Sequence, residues 1–426
     1  MDFEIIVAAD LGNAKLAMMA AKKFADGKLE ILALESEPTP LDSIRNGIIT
    51  KPSEVAARLS MMLKLLGNRI KSPICRFYVG INGRSLRTVR VNIPRIFGHD
   101  EEITEEILSD METEAKNTTI SEREILRVLT DTFMLDNEPI QNPIGVIGGN
   151  LTASYVLAVG KPEVSLNIDK CADRILGTEI AQKFLAPMAT ATALLSEAEK
   201  ELGSAVIDFG AGCTSVAVYK DGLMKHLAVI PIGGKHITND LKSLKLLDQE
   251  AEKLKLMCGD KFSIRDKKIL KIELPATAEG LEQRSVSTKD VEHIITARLH
   301  EIIDLVMAQI QKSGYTNVLN AGLVITGGVT NMKYVDDIVR EKTGMDVRIG
   351  SYVAHLTDNT DDEFIRNEYA QLIGLLLCGT ENCTLPVNQS SKKQVKKAPK
   401  KGLKDYFGSK LGDLFSDDTP LKENVK

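Results

Sequence analysis

EIIVAADLGNAKLAMMA (residues 4–20) and SAVIDFGAGCTSVAVYKDG (residues 204–222) share one pattern. In each stretch an apolar, β-rich run reaches an aspartate and a glycine-bearing turn, and more β-type sequence follows. This arrangement favours a hairpin over a strand that leads into a helix. The two stretches therefore look like copies of one unit, about 200 residues apart.

A third stretch, GLVITGGVTNMKYVDDIV (residues 322–339), has a similar apolar run and glycine turn, but its turn opens a helical period. Met332, Val335, Ile338 and Val339 recur on one face of that helix. Four other stretches have helical periodicity: residues 54–70, 101–117, 248–259 and 289–314. Strands interleaved with helices predict α/β layers, and 426 residues are enough for more than one core.

Charge divides the chain into an acidic body and a basic tail. Residues 385–426 carry ten lysines and five acids, a net charge of +5, whereas the whole chain has −5. The body is therefore no obvious partner for nucleic acid, while the tail can be attracted to an anionic membrane. The start, MDFEIIVAAD, does not resemble a signal peptide, and no apolar run approaches the roughly 20 residues that span a bilayer.

The six cysteines are scattered, without the pairing or histidine spacing of a metal site. We interpret them as reduced thiols of a cytosolic protein.

The glycine turns predict a polyphosphate site. Glycines in two facing hairpins allow backbone N–H groups to approach phosphates from both sides. Asp10 and Asp208, at the strand ends, are placed to hold a hydrated Mg²⁺, and Lys15 to reach a β- or γ-phosphate. Gly327 and Gly328 would let a nucleoside lie against the third turn. The predicted cofactors are ATP and Mg²⁺.

The ordered set resembles the actin-like ATPase superfamily, with its two phosphate loops and its adenosine loop. Five stretches resemble one family within it, the bacterial cell-division protein FtsA, over about residues 4–380. Those stretches are VGINGRSLRTV, SEREILRVLTDTFMLDN, NPIGVIGGNLTASYVLAV, VIPIGGKHITNDL and LVITGGVTNM.

The resemblance implies an α/β, actin-like (ribonuclease H-like) two-domain fold with a nucleotide cleft and an FtsA-type extra subdomain. The implied boundaries are subdomain 1A at 1–83, 170–203 and 351–384, subdomain 1C at 84–169, subdomain 2A at 204–230 and 315–350, subdomain 2B at 231–314, a disordered linker at 385–402, and an amphipathic membrane helix at 403–416.

The resemblance also implies the roles of individual residues. The first phosphate loop would comprise Asp10, Gly12, Asn13 and Lys15, and the second Asp208, Gly210, Gly212 and Thr214. Gly233 and Gly234 would lie by the phosphates across the cleft, and Glu252 and Lys255 would contact the ribose. For the last two residues, an ordinary surface ion pair is the alternative.

Two departures from the family pattern bear on hydrolysis. The second loop, usually DIGGGTTD, is here DFGAGCTS, so that Ser215 replaces an acid. Ala186 stands where relatives commonly have a glutamate that positions water. Because general-base assistance is typically worth 10² to 10⁴-fold, we expect ATP binding with weak or absent ATPase activity.

The terminal segment has an apolar stripe at helical spacing, opposite a polar side. The stripe consists of Leu403, Tyr406, Phe407, Leu411, Leu414 and Phe415. A membrane interface would fold such a helix by burying the stripe, and the preceding lysines would draw it to anionic lipid. Docking on its own body or on another protein is the alternative, and the family resemblance favours the membrane.

The expected function is an actin-like, ATP-binding protein that forms filaments at the cytoplasmic face of the membrane, at the division septum. It would tether the ring of FtsZ, the tubulin-like division protein, and recruit further division proteins. By resemblance, the FtsZ C-terminal peptide docks near helix 289–314, where Arg298 matches an implicated position; a solvated helix face is the alternative. A pilus-assembly actin-like protein and a small-molecule kinase of the superfamily are the alternative functions.

Overall fold

The computed structural model describes residues 3–261, 271–274, 283–358 and 360–385. These residues form two compact units. The larger unit contains the chain up to residue 89 together with residues 120–129 and 156–385, and the smaller contains residues 90–119 and 130–155. The predicted linker after Leu385 and the predicted membrane helix at 403–416 lie outside the described residues.

Strands and helices alternate along the chain, as the sequence pattern predicts. The strands are β1 (Phe3–Leu11), β2 (Lys15–Phe24), β3 (Leu29–Pro38), β4 (Ile44–Arg45), β5 (Ile48–Ile49), β6 (Arg76–Ile81), β7 (Arg87–Glu102), β8 (Glu124–Leu135), β9 (Glu138–Ile140), β10 (Ile147–Gly160), β11 (Glu179–Leu185), β12 (Ser204–Phe209), β13 (Thr214–Lys220), β14 (Leu223–Ile230), β15 (Lys271–Leu274), β16 (Arg284–Ser287), β17 (Leu323–Thr326) and β18 (Val347–Ile349). The helices are α1 (Pro52–Ile70), α2 (Glu105–Lys116), α3 (Pro162–Ala172), α4 (Ala186–Leu194), α5 (Glu197–Leu202), α6 (Gly234–Leu241), α7 (Asp248–Lys261), α8 (Thr288–Ser313), α9 (Val335–Thr343) and α10 (Ala370–Cys378).

The larger unit contains the same sheet order twice. Its first sheet runs β3-β2-β1-β6-β11, and five strands of a longer sheet run β14-β13-β12-β17-β18. In both, the first three strands are antiparallel neighbours and the last three are parallel. The repeat seen in the sequence is therefore a repeat of whole sheets, which confirms the predicted duplicated α/β fold.

Both glycine stretches form the predicted hairpins. In β1 and β2, Leu11 pairs with Leu16, and in β12 and β13, Phe209 pairs with Thr214. Alternate residues of β12 face different cores: Ile207 belongs to a cluster with α8, and Val206 to the cluster around the first sheet. A strand buried on both faces needs an almost continuous apolar run, which both sequences have.

The residues at the ends and on the buried faces of three helices explain where those helices begin, end and pack. Helix α1 begins with Pro52, carries a left-handed residue, Lys71, at its C-terminal cap, and buries one face. Helix α8 ends at left-handed Gly314, the predicted stop. Helix α10 is apolar except for Gln371 and is buried from Ala370 to Leu376. Gly374 lets it approach α4 so closely that a Cβ there would lie 1.8 Å from the Ala189 carbonyl oxygen. Among the described residues, no helix has both the length and the apolar character needed to cross a bilayer.

The smaller unit corrects one predicted boundary. It contains strand β9, parts of β7, β8 and β10, paired in the order β7-β10-β8-β9, and helix α2, which buries Leu108, Met111 and Ala115. The prediction of a helix over 101–117 was wrong at its start, because residues 101 and 102 continue β7. Thr104 caps the helix with its hydroxyl accepting from the Ile107 N–H at 3.3 Å, which places the first turn at Glu105.

Candidate functional site

Two aspartates mark the carboxyl ends of the central strands β1 and β12. The Oδ1 atom of Asp10 accepts a 2.7 Å hydrogen bond from Gln371 Nε2. Asp208 lies against Gly327, where an added Cβ would come within 2.3 Å of its Oδ1 atom. Gly327 also has a φ of 92°, so close approach and backbone conformation both require glycine there. The carboxyl ends of parallel strands are where α/β sheets usually bind ligands.

Both carboxylates have a raised pKa. Burial raises the pKa of Asp10 to about 6, although the Lys15 charge and the Gln371 hydrogen bond act in the opposite direction. Burial and the charge of Asp10 raise the pKa of Asp208 to about 7. A divalent cation would favour the ionised form of both.

The residues present fit a hydrated Mg²⁺. Within the described ranges, no group of three or more His, Cys, Asp or Glu side chains is placed to hold a metal ion directly. Two carboxylates with water and phosphate oxygens are a usual Mg²⁺ environment, so Asp10 and Asp208 suit that ion better than a metal that needs a full protein ligand set.

The turn between β1 and β2 leaves an amide available. The Gly12 carbonyl accepts from the Thr39 hydroxyl at 2.7 Å, and the Ala14 carbonyl from the Thr39 N–H at 3.0 Å. Because a trans peptide points its N–H away from its carbonyl, the Asn13 amide faces the other way. It donates to no acceptor among the residues that the structure describes.

The turn between β12 and β13 repeats this arrangement. The carbonyls of Gly210 and Ala211 accept from the N–H groups of Gly234 and Lys235, at 2.9 and 2.8 Å, at the start of α6. The amides of Ala211 and Gly212 therefore point away from α6, and within the described part of the chain they donate to no protein acceptor. Amides arranged in this way can bind anions.

The two turns lie side by side. A Cβ on Gly212 would fall 2.5 Å from Cγ of Asn13. The Asn13 side chain itself is committed to β4 and β5, since it donates to the Ile44 carbonyl at 3.1 Å and accepts from the Gly47 N–H at 2.9 Å. Asn13 therefore has its main-chain amide, and not its side chain, to offer to a ligand.

Other predicted residues hold the second turn in place. The Thr214 hydroxyl is buried and donates to the Ile232 carbonyl at 2.8 Å. A Cβ on Gly233 would lie 2.3 Å from the Gly210 carbonyl oxygen. Thr214, Gly233 and Gly234 thus fix the second turn against α6.

The Lys15 side chain contacts residues 368 and 369, just before α10. Its Nζ atom pairs with Glu368 at 2.6 Å and lies 4.2 Å from the centre of the Tyr369 ring. Glu368 also accepts a 3.0 Å hydrogen bond from the Asn331 side chain. Lys15 is therefore already paired where the sequence predicts a phosphate contact.

Glu252 and Lys255 form an ion pair that is not an ordinary surface pair. Lys255 is buried, and its Nζ donates to Glu252 at 2.7 Å, to the Thr238 hydroxyl at 3.0 Å and to the Gly234 carbonyl at 3.3 Å. A Cβ on Gly234 would lie 2.9 Å from Val329, in the 3₁₀ turn that follows Gly327. The pair thus adjoins the third turn.

Gly328 faces open space, with no atom within 4 Å of an added Cβ. The third turn therefore has room for a flat group at this glycine.

Ala186 begins α4 as a buried methyl group. A Cβ on Gly80 would lie 3.2 Å from the Ala186 Cβ and 2.8 Å from Gln371 Nε2. The amide bound to Asp10 therefore borders Ala186.

Arg298 is occupied by neighbours in its own unit. Its guanidinium binds both oxygens of Asp240, at 2.5 and 3.0 Å, and pairs with Glu301. The hydrogen bond to Asp240 is the main reason that its pKa is raised, against the opposing effect of burial. The predicted role in partner binding stays a prediction.

Sequence reasoning missed Glu368 and Gln371. They flank the start of α10, more than 350 positions from Asp10 and Lys15 and without a glycine motif. The available signal is NEYAQ, in which an acid and an amide flank the start of an otherwise apolar helix.

Two family models match the chain. The model described as "Cell division protein FtsA" matches residues 205–374, and "SHS2 domain inserted in FTSA" matches residues 83–159. The chain is 31% identical over 347 residues to the cell division protein FtsA of Neisseria meningitidis serogroup B, covering 80% of this chain and 82% of that protein. It is 28% identical to the FtsA of Pseudomonas aeruginosa, covering 89% and 90%.

A solved structure confirms the fold class. The PilM–PilN type IV pilus biogenesis complex contains a chain that superposes with a TM-score of 0.62 at 15% identity, covering 88% of this chain and 98% of that one. At this identity the likeness concerns the actin-like fold alone.

Proposed function

Because this chain belongs to the FtsA family of cell-division proteins, we propose that it binds Mg²⁺ and ATP between the ends of β1 and β12. One observation carries the proposal: the two glycine turns that follow Asp10 and Asp208 lie side by side, and each turn has a main-chain amide without a partner among the described residues. Phosphate oxygens suit such amides.

Each residue has a defined task in this proposal. Bound Mg²⁺ would neutralise phosphate charge, and Asp10 and Asp208 would hold its water ligands. The amides of Asn13, Ala211 and Gly212 would bind phosphate oxygens.

The nucleoside would lie at the third turn. Gly328 faces open space, and Glu252 and Lys255 adjoin the turn from α7. Hydrolysis would be weak, because the buried methyl group of Ala186 cannot orient a water.

Titration of the full chain with a fluorescent ATP analogue and Mg²⁺ tests the nucleotide site. We expect Asp208→Ala to weaken binding at least about 30-fold, since a carboxylate that supports Mg²⁺ is lost. Asp110→Ala, which changes an exposed acid on α2, is the matched control and should bind as the parent does. Equal affinity of the parent and Asp208→Ala would contradict this location.

We further propose that the protein polymerises on the cytoplasmic face of the membrane, tethers the FtsZ ring and recruits other division proteins. The support is family membership together with the apolar stripe at residues 403–415 of the sequence. A single helix of this length is a weak anchor, whereas many helices on one filament bind by avidity. Arg298 on α8 would contribute to the contact with the FtsZ C-terminal peptide.

Sedimentation of FtsZ polymers with anionic vesicles tests the tether. With the parent and ATP, we expect FtsZ to pellet with the vesicles. Phe407→Asp with Leu411→Asp should abolish this by disrupting the stripe, while Lys404→Gln on the polar side should change it little. Vesicle recruitment of FtsZ by the double variant at the parental level would refute the anchor.

A further inference from the structure

Residues 367–371 form a side of the candidate site that no sequence motif indicates. The Asn367 carbonyl accepts from the Thr326 hydroxyl at 2.8 Å, and Gln371 holds Asp10 at 2.7 Å. Between them, Glu368 and Tyr369 both contact Lys15. One short segment thus touches the first phosphate turn and the end of β17.

Glu368 connects the two duplicated sheets. One of its oxygens accepts from Lys15 on β2 of the first sheet, and the other accepts from Asn331 in the turn after β17 of the second. We call this arrangement the Glu368 bridge. Its lysine and glutamate side chains are 27% and 20% exposed, so a ligand that enters the site can reach both.

The charge of Glu368 matters at neutral pH. Burial alone would raise its pKa, but the Lys15 ammonium and the Asn331 amide outweigh that effect, so the pKa lies below its usual value. The carboxylate is therefore ionised, and it pairs with Lys15, the cation that the sequence predicts to contact a phosphate. A triphosphate that reached Lys15 would also meet this negative charge.

We infer that nucleotide phosphate and Glu368 compete for Lys15, so that nucleotide binding opens the Glu368 bridge at its Lys15 end. The inference rests on the proposed nucleotide site and adds a regulatory contact to it. Because binding linkage is reciprocal, a change that weakens the bridge strengthens nucleotide binding, and bound nucleotide weakens the bridge. Glu368 is thereby a positioning residue that reports whether the site is filled.

Glu368→Gln tests the inference, because glutamine keeps the size and an acceptor for Asn331 while it removes the charge. We expect the full-length variant to bind Mg²⁺ and ATP about 10-fold more tightly than the parent, since a like charge near the phosphates is removed. Its melting temperature without nucleotide should fall by about 2 °C, because an ion pair is lost. A saturating ATP concentration should remove that difference.

Glu363→Gln is the matched control, since it removes an exposed acid five residues earlier in the chain, and it should shift neither quantity. If the parent binds ATP and Glu368→Gln binds it equally or more weakly, the inferred competition for Lys15 is refuted, whereas the proposed nucleotide site is not. A parent that binds no ATP would overturn both.

Discussion

The two hairpins that line the candidate site have the same backbone course and different side chains. A Cβ on Gly12 would meet the Lys15 carbonyl oxygen at 2.7 Å, and a Cβ on Gly210 would meet that of Cys213 at 2.8 Å. Glycine is thus needed at the same point of both turns for the same reason. The residue that supplies the carbonyl is charged in the first hairpin and is a cysteine in the second.

The charged residue of the first hairpin and the cysteine of the second can make different contacts with a ligand. Lys15 carries a charge within reach of solvent, whereas Cys213 is buried and its thiol has a pKa raised to about 12, chiefly by that burial. The second turn can therefore offer a ligand only its main-chain amides, and the first offers an amide and a cation. The two hairpins thus share a backbone course, and only the first carries a charged side chain at this position.

The largest expected effect tests whether both turns bind phosphate. Gly12→Ala and Gly210→Ala each place a methyl group closer than 3.0 Å to a carbonyl oxygen, so either turn must shift. We expect each variant to weaken ATP binding about 30-fold, by displacing amides that the phosphates need. Isothermal titration with Mg²⁺ and ATP measures both.

Gly98→Ala is the control, because an added Cβ there meets nothing within 4 Å. If only one of the two turn variants lost affinity, the hairpins would be alike in structure and unlike in function, which would break the comparison.

A smaller effect should follow from what the hairpins share, their aspartates. A folded-state pKa of about 7 for Asp208, against 3.8 for an ordinary aspartate, means that the folded protein binds a proton that the unfolded chain has released. The free energy of unfolding therefore decreases as pH rises from about 4 to 7. Above pH 7 the buried Asp208 is ionised, and its full destabilising effect is present. Replacing Asp208 by a neutral residue should remove this destabilisation.

We expect Asp208→Asn to melt about 3 °C above the parent at pH 8, without Mg²⁺ or nucleotide, and to approach the parent at pH 4.5. Differential scanning calorimetry at the two pH values provides the measurement. Mg²⁺ with ATP should stabilise the parent and not the variant, which reverses the order at pH 8. A gap that is equal at both pH values would show that the charge of Asp208 is not the cause.

The sequence was informative where local pattern determines structure. Both hairpins, the duplicated α/β order and the stop of α8 at Gly314 follow from apolar runs, glycines and helical spacing. Family resemblance predicted a ribose contact for Lys255 and Glu252, which stays a prediction, and did not predict that Lys255 is buried against the start of α6. Burial of a lysine depends on partners from another helix, which spacing along one helix cannot indicate.

The missed residues lie where tertiary packing determines proximity. Gln371 reaches Asp10 because α10 is buried beside β1, and Glu368 reaches Lys15 because the preceding segment passes along the end of β17. Neither contact leaves a periodicity. The start of α2 was misplaced for a similar reason, since strand pairing of β7 prevailed over the helix preference of two glutamates.

The smallest effect concerns the third turn, which is neither hairpin. Because Gly328 faces open space, Gly328→Ala should leave the melting temperature within about 1 °C of the parent. If a nucleoside lies against this turn, the added methyl group should weaken ATP binding about 3-fold and leave binding of inorganic tripolyphosphate unchanged. Gly12→Ala should weaken binding of both ligands, since the adjoining Asn13 amide is the one proposed to bind phosphate.

Gly327→Ala serves as the internal contrast. Its φ of 92° and its contact with Asp208 predict a loss of about 1–2 kcal/mol of folding stability, so this variant should melt several degrees lower. Two adjacent glycines would then differ in kind: one is needed by the fold, and the other leaves space for a base. If Gly328→Ala weakened the binding of tripolyphosphate as much as that of ATP, the third turn would contact phosphate, as the two hairpins are proposed to do. The nucleoside would then have to lie elsewhere.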